Sequence, residues 1–163
     1  MKRPGRKGET TPADHTASDL EAHLGYWLRF VSNHVSHGFK AKVEAHGVTV
    51  AEWVVLRALL DVEGITPSEL ADKIGLTRGA ISKLVDRLSE KRLVLCRANK
   101  ADRRSQIVSL AEAGRKLVPT LAKLADENDA EMFGHLDDHD RFMLLSLLKR
   151  MVEHHELKAV PVD

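Results

Sequence analysis

The sequence has a single cysteine, Cys96, among its 163 residues. One thiol excludes an intramolecular disulfide and any zinc site built on several cysteines. Aromatic residues make up only 4%, so a core must be assembled mainly from Leu, Val, Ile and Ala, a composition that suits helices. No apolar run approaches the roughly 18–20 residues of a membrane-spanning helix. The start, Met1-Lys2-Arg3-Pro4-Gly5-Arg6-Lys7-Gly8, is basic but lacks the apolar stretch of a secretory signal. A cytoplasmic protein with no membrane attachment is expected. Also missing are a nucleophile elbow, a Gly-rich phosphate loop, a paired-carboxylate signature, and any His-Glu-x-x-His or Cys-x-x-Cys pattern. Neither catalysis, nor a cofactor, nor a bound metal is therefore expected. His34 and His37 share a helix face and His154-His155 lie near the end, but two imidazoles hold no metal without further ligands.

What is present belongs to an ordinary folded protein: 43% apolar and 30% charged residues, enough for one compact domain or two small lobes sharing a core. The net charge of +1 conceals a segregation. Residues 1–63 carry 8 basic and 8 acidic side chains, residues 64–115 carry 11 against 6, and residues 116–163 carry 6 against 10. A basic middle beside an acidic end suits one face meant for a polyanion, although solvated charge clusters by chance as well.

Residues 1–18 are rich in Pro, Gly, Thr and charge and read as a mobile tail. Beyond a cap at Ser18 or Asp19, the three- and four-residue steps through Leu20, Leu24, Trp27, Leu28, Val31, Val35 and Phe39 predict a long amphipathic helix, which Gly47 stops. Thr49 and Glu52 form a capping-box pattern for a second helix, with Trp53, Leu56, Leu59 and Leu60 as its buried stripe. Thr66 caps a third helix with Pro67 at its first position, and Gly75 ends it. Thr77 caps a fourth, which buries Ile81, Leu84, Val85 and Leu88. Strands at 94–98 and 107–110 flank a charged turn and read as a β-hairpin. A helix from Glu112 towards Phe133, with a kink or late start at Pro119, and a last helix over about 138–157 complete the chain.

Residues 67–90 have the anatomy of a helix-turn-helix. Ala71 and Gly75 stand four apart where two backbones must cross closely, and Ile81 and Leu84 fill the angle. The opposite side of the second helix offers Thr77, Arg78, Gly79, Ser82 and Lys83, with Asp86 among them and Arg87 on a flank. Such a helix fits the DNA major groove: Arg pairs bidentately with guanine, Ser82 can contact either base type, and the small Gly79 and Ala80 permit close approach. The hairpin adds Arg97 at its base and Lys100, Arg103 and Arg104 at its tip, cations on a thin protrusion that can enter a minor groove. Asp102 is placed to pair with a neighbouring guanidinium and support the tip.

The runs Leu70-Ala71-Asp72-Lys73-Ile74-Gly75-Leu76, Leu84-Val85-Asp86-Arg87-Leu88, Leu93-Val94, Asp102-Arg103-Arg104 and Leu110-Ala111-Glu112-Ala113-Gly114 resemble the MarR family of bacterial transcription factors. The resemblance covers about residues 20–155 and is most specific over 66–114. It implies a mainly α fold with a small β-hairpin wing: a winged helix-turn-helix over 48–111 joined to an interlocking helical dimerisation region over 19–47 and 112–160. It also implies a triangular homodimer, with Arg103 as the minor-groove contact. Two departures stand out. Ala111 replaces the usual Thr that caps the next helix, and Arg92 stands where the family usually has Gly, which predicts a strained helix end.

The apolar residues Leu117, Val118, Leu121, Leu124, Leu144, Leu145, Leu147, Leu148 and Met151 exceed what so small a module can cover, which independently predicts a dimer. Two-fold symmetry would set the recognition helices about 34 Å apart, one duplex turn, on a palindromic double-stranded operator. Tyr26, Trp27, Phe30, His34, His37, Trp53 and Arg57 are candidates for a pocket at the lobe junction, where the family often binds small aromatic or phenolic anions; core packing explains the same aromatics. Cys96 reads as a small packing residue. The expected function is a homodimeric repressor released by a small, possibly aromatic or phenolic, ligand. The alternative is a winged-helix interaction adaptor that binds no DNA, for which a basic hairpin has no use.

Overall fold

A computed structural model describes residues 17–99 and 105–157, and the chain divides into two units, residues 1–33 and 34–163. In the first, a 3-10 turn over Leu20–Ala22 precedes helix α1 (Leu24–Glu44), which continues into the second unit. The predicted start near Ser18 or Asp19 is thus corrected: His23 is extended, and the Asp19 side chain makes no capping hydrogen bond. The Trp27 indole instead donates to the Glu21 carbonyl at 2.9 Å, holding the turn against the helix start. None of the described residues of this unit is buried.

The second unit carries α2 (Val50–Leu60), α3 (Pro67–Ile74), α4 (Arg78–Glu90), β1 (Val94–Ala98), β2 (Gln106–Leu110), α5 (Glu112–Phe133) and α6 (Asp138–His154). Two capping boxes set the helix starts. Thr49 with Glu52 opens α2, and Thr66 with Glu69, followed by Pro67, opens α3. In each, the Thr hydroxyl accepts the third amide and the Glu returns to the cap amide, satisfying donors that a helix start leaves open. Gly47 and Gly75 end α1 and α3 at φ 76° and 70°, where a Cβ would be strained.

The sheet is a two-stranded antiparallel hairpin, with Val94 opposite Leu110 and Cys96 opposite Val108. Ile65 exchanges both backbone hydrogen bonds with Val108, at 2.9 and 3.0 Å, and so adds a one-residue third rung. One core unites these elements: Leu56 and Leu59 of α2, Leu70 of α3, Ile81 and Leu88 of α4, Val108 of β2 and Val118 and Leu121 of α5 are wholly buried. Val43 and Val48 bring the end of α1 into it.

α5 begins at Glu112 and runs through Pro119 without interruption. Pro119 is exposed, and the buried Val118 and Leu121 hold the helix on either side of it. Ala111 supplies no side-chain cap, and Arg92 adopts a φ of 59°, as the two departures predict. None of the α6 side chains is buried; Phe142, Leu145, Leu147, Leu148, Met151 and Val152 are exposed. Among the described residues, no helix is long and apolar enough to cross a membrane.

Candidate nucleic-acid interface

The α3–α4 corner is closed by backbone geometry. Gly75 in the left-handed region donates to the Ala71 carbonyl, and the next amide, of Leu76, reaches the same oxygen at 3.1 Å. Gly75 therefore serves its φ as well as the close crossing read from its spacing. Thr77 then accepts from the Ala80 amide at 3.2 Å. With Ile81, Leu84, Val85 and Leu88 buried, Thr77, Arg78, Gly79, Ser82, Lys83 and Arg87 all stand exposed on the other side of α4, in company with Asp86.

The electrostatics of this face suit an anion. No acidic residue occupies the first turn of α4, so the positive end of its peptide dipoles is uncompensated there. Among the described residues, no ion pair engages Arg78, Lys83, Arg87 or Arg97. A Cβ built on Gly79 would meet nothing within 4 Å, so packing within the chain does not require glycine there.

Arg97 is exposed on β1, opposite Ile107. At the base of the hairpin the Asn99 amide donates to the Ser105 carbonyl and its side-chain amide to the Ser105 hydroxyl, both at 3.0 Å. Lys100, Asp102, Arg103 and Arg104, the predicted tip, lie outside the described residues.

The predicted pocket residues are distributed over the two units. Tyr26, Trp27 and Phe30 form an aromatic cluster with ring centroids 5.1–6.3 Å apart. His34 and His37 are exposed on α1, and Arg57 pairs with Asp61 at 2.7 Å on exposed α2 surface. Trp53 packs edge-on against Phe39, centroids 6.3 Å apart. Phe39 in turn lines a cavity bounded by Val35, Ser36, Val50, Ala125 and Asn128. Trp53 thus touches this lining through Phe39, and none of the predicted second-unit residues lines the cavity itself. Cys96 corrects its expectation: it shares a face with the buried Val94 and stands opposite the buried Val108, but the core's cover stops short of it, and it is exposed. Partial burial of the thiol, with the nearby Asp86 charge, pushes its pKa up.

Two features escaped the sequence. Glu52, read only as a capping residue, is 1% exposed and accepts from the Lys91 ammonium at 2.7 and 2.9 Å. Asn128 of α5 is buried and donates to the Val35 carbonyl of α1 at 3.2 Å. Neither pairing has a sequence signal, since the partners lie 39 and 93 residues apart.

Residues 46–105 match the MarR family. The HTH-type transcriptional repressor NicR of Pseudomonas putida is 27% identical over 147 residues, covering 90% of this chain and 93% of that protein. Among solved structures, a cysteine-to-serine variant of MarR from E. coli, complexed with operator DNA, is 26% identical with a TM-score of 0.74, over 83% of this chain and 99% of that one. The S. aureus MepR–DNA complex, 22% identical with a TM-score of 0.75 over 81% and 98% of the two chains, shares the fold. Three helices, a two-stranded wing and an exposed cationic α4 define a winged helix-turn-helix transcriptional regulator, not an enzyme. Within that class the chain is similar to the MarR family, over residues 46–105, and to the relatives above.

Proposed function

We propose that the chain is a homodimeric repressor that reads a palindromic operator in double-stranded DNA with two copies of α4 and the wing, and that a small ligand releases it. The observation that carries the reading is the exposed face of α4. Its cations Arg78, Lys83 and Arg87 lack acidic partners among the described residues, around a Gly79 that leaves room for close approach. Thr77, Arg78, Gly79, Ser82, Lys83 and Arg87 would lie in the major groove, with Arg97 and Lys100 on phosphates. Arg103 would enter the minor groove, supported by Asp102 and Arg104. The similarity to the repressor NicR and to MarR complexed with operator DNA supports the DNA-binding part of this reading.

The dimer is supported by the apolar surface that one copy leaves bare: Leu28, Phe30 and Val31 on α1, and Phe142, Leu145, Leu147, Met151 and Val152 on α6. Exposed apolar faces of this kind, one in each unit, mark interfaces. The cavity edged by Phe39 and Val50, with Asn128 and Asp129 among its polar groups, supports a small flat ligand. Tyr26, Trp27, Phe30, His34, His37 and Arg57 are the further candidates for ligand contacts. A ligand favouring a geometry unlike the DNA-bound one would lower operator affinity by its differential affinity for the two. Such a regulator works in the cytoplasm.

Selection of bound duplexes from a random pool tests the reading. It should return inverted half-sites centred about 10–10.5 base pairs apart. Affinity for the selected duplex should fall steeply with salt, by about 0.9 log units per log unit for each phosphate neutralised. Arg103→Ala should weaken binding. A protein that enriches no duplex, or whose affinity ignores salt, is not this regulator.

A further inference from the structure

The two capping boxes of this chain differ in one respect that capping does not explain. Glu69 performs its part at the surface, receiving the Thr66 amide and hydroxyl while exposed. Glu52 makes the equivalent bond to the Thr49 amide at 2.7 Å while 1% exposed. A capping carboxylate has no need of burial, and burial of a charge is unfavourable unless it is paired. The pairing comes from Lys91, the residue that caps the C-terminal end of α4.

The Lys91 ammonium donates to Oε1 and Oε2 of Glu52 at 2.9 and 2.7 Å and to the Gly47 carbonyl at 2.8 Å. A forked bond to the carboxylate and a second bond to the carbonyl anchor the ammonium from two directions. Three helix ends therefore meet at one nitrogen: the end of α1 at Gly47, the start of α2 at Glu52 and the end of α4 at Lys91. Apolar contacts through Ile81, Leu84, Val85 and Leu88 hold α4 down without fixing its direction, because burial is non-directional. Directed hydrogen bonds from a charged group do fix it.

We propose that Lys91 is a positioning residue for operator recognition. Its bonds to Glu52 and Gly47 pin the far end of the recognition helix to the α1–α2 corner and so set the helix's pitch in each half-site. The inference rests on the DNA-binding dimer proposed above. On this reading Lys91 acts through these bonds and not as a phosphate contact.

The test compares the full-length wild type with Lys91→Met, Lys91→Arg and Glu52→Gln. Each is titrated against the selected palindrome and against versions with one base pair added or removed between the half-sites, at two salt concentrations. Sedimentation and thermal unfolding under the same conditions register folded dimer. Glu52→Gln keeps a capping-box acceptor and removes only the charge, so it carries the test if Lys91→Met does not fold. The expected result for Lys91→Met and Glu52→Gln is a loss of about tenfold on the native spacing. Discrimination against the altered spacings should shrink alongside, with the salt slope unchanged; Lys91→Arg should recover most of the loss. Folded dimeric variants that keep the wild-type spacing preference overturn the proposal. So does a loss accompanied by a lower salt slope, which would make Lys91 a phosphate contact. If the wild type prefers no duplex, the DNA reading falls and takes this inference with it; if only the variants match the wild type, this inference alone falls.

Discussion

Gly114 at the start of α5 and Gly79 in α4 are glycine for opposite reasons, and substitution separates them. A Cβ on Gly114 would sit 2.2 Å from the Leu93 carbonyl oxygen, the same oxygen that accepts the Ala111 amide at 3.0 Å. The obstacle is backbone and cannot swing aside, so Gly114→Ala should destabilise by about 1–3 kcal/mol, toward the upper end of the usual overpacking cost. A denaturant midpoint shift checks this. Gly79 faces open space, and inside a helix glycine costs about 0.5–1 kcal/mol relative to alanine. Gly79→Ala should therefore raise stability by about that amount while weakening duplex binding, because the added methyl projects from the face proposed to enter the groove. A variant that gains stability and binds DNA as well as the wild type would remove Gly79 from the interface. Glu52 supplies a pH signature. Burial by itself raises its pKa, but the Lys91 and Thr49 hydrogen bonds and the Lys91 charge outweigh that, and the net shift is downward from 4.5. A depressed carboxylate stabilises the fold above its unfolded pKa, and that contribution is lost as pH falls through the folded value. The stability gap between wild type and Glu52→Gln should thus hold constant at neutral pH and narrow as pH drops below about 4.5. A gap that widens in acid would reverse the assignment.

At the scale of helices and strands, the punctuation of this chain was legible because it is local. Thr49, Thr66 and Thr77 cap where their spacing to Glu52, Glu69 and Ala80 says they should, and Gly75 stops α3 in the left-handed region. Arg92, flagged by its substitution for glycine, does adopt the strained conformation. It sits where the Leu93 amide reaches back to the Leu88 carbonyl at 2.9 Å, the signature of a helix end that prefers glycine. Arg92→Gly should accordingly raise the unfolding midpoint, by about 0.5–1 kcal/mol in free energy; a lower midpoint would show that the Arg92 side chain contributes contacts that outweigh its backbone strain. The failures were non-local. The first turn of α1 was misplaced because the Trp27 indole, six residues away, captures the Glu21 carbonyl and favours a 3-10 turn over a continuous helix. Cys96 reads as a packing residue; it does share a face with the buried Val94 and Val108, but the core's cover ends before it, which no local pattern shows. The Lys91–Glu52 contact joins elements that only the folded core brings together.

For the whole molecule, the least satisfied element is α6. Its apolar residues recur so closely along Phe142, Met143, Leu144, Leu145, Leu147, Leu148, Met151 and Val152 that they cover well over half of the helix circumference. Within one copy none of them is buried. A helix apolar over so wide an arc belongs in an interior, and a second copy supplies one without further sequence. Folding and association should then be coupled: the thermal midpoint should rise with protein concentration, as it does when the folded state is the associated state. Leu147→Lys places a charge within this arc, at a position 42% exposed in the isolated chain. It should shift sedimentation towards the monomer at micromolar concentration and weaken operator binding, because each monomer then holds one half-site with half the phosphate contacts. The salt slope separates the causes: halved phosphate contacts halve it, whereas damage to α4 packing would lower affinity in a protein that still sediments as a dimer. If Leu147→Lys leaves both sedimentation and affinity unchanged, α6 is not the surface through which two copies meet, and the dimer must be built on α1 instead.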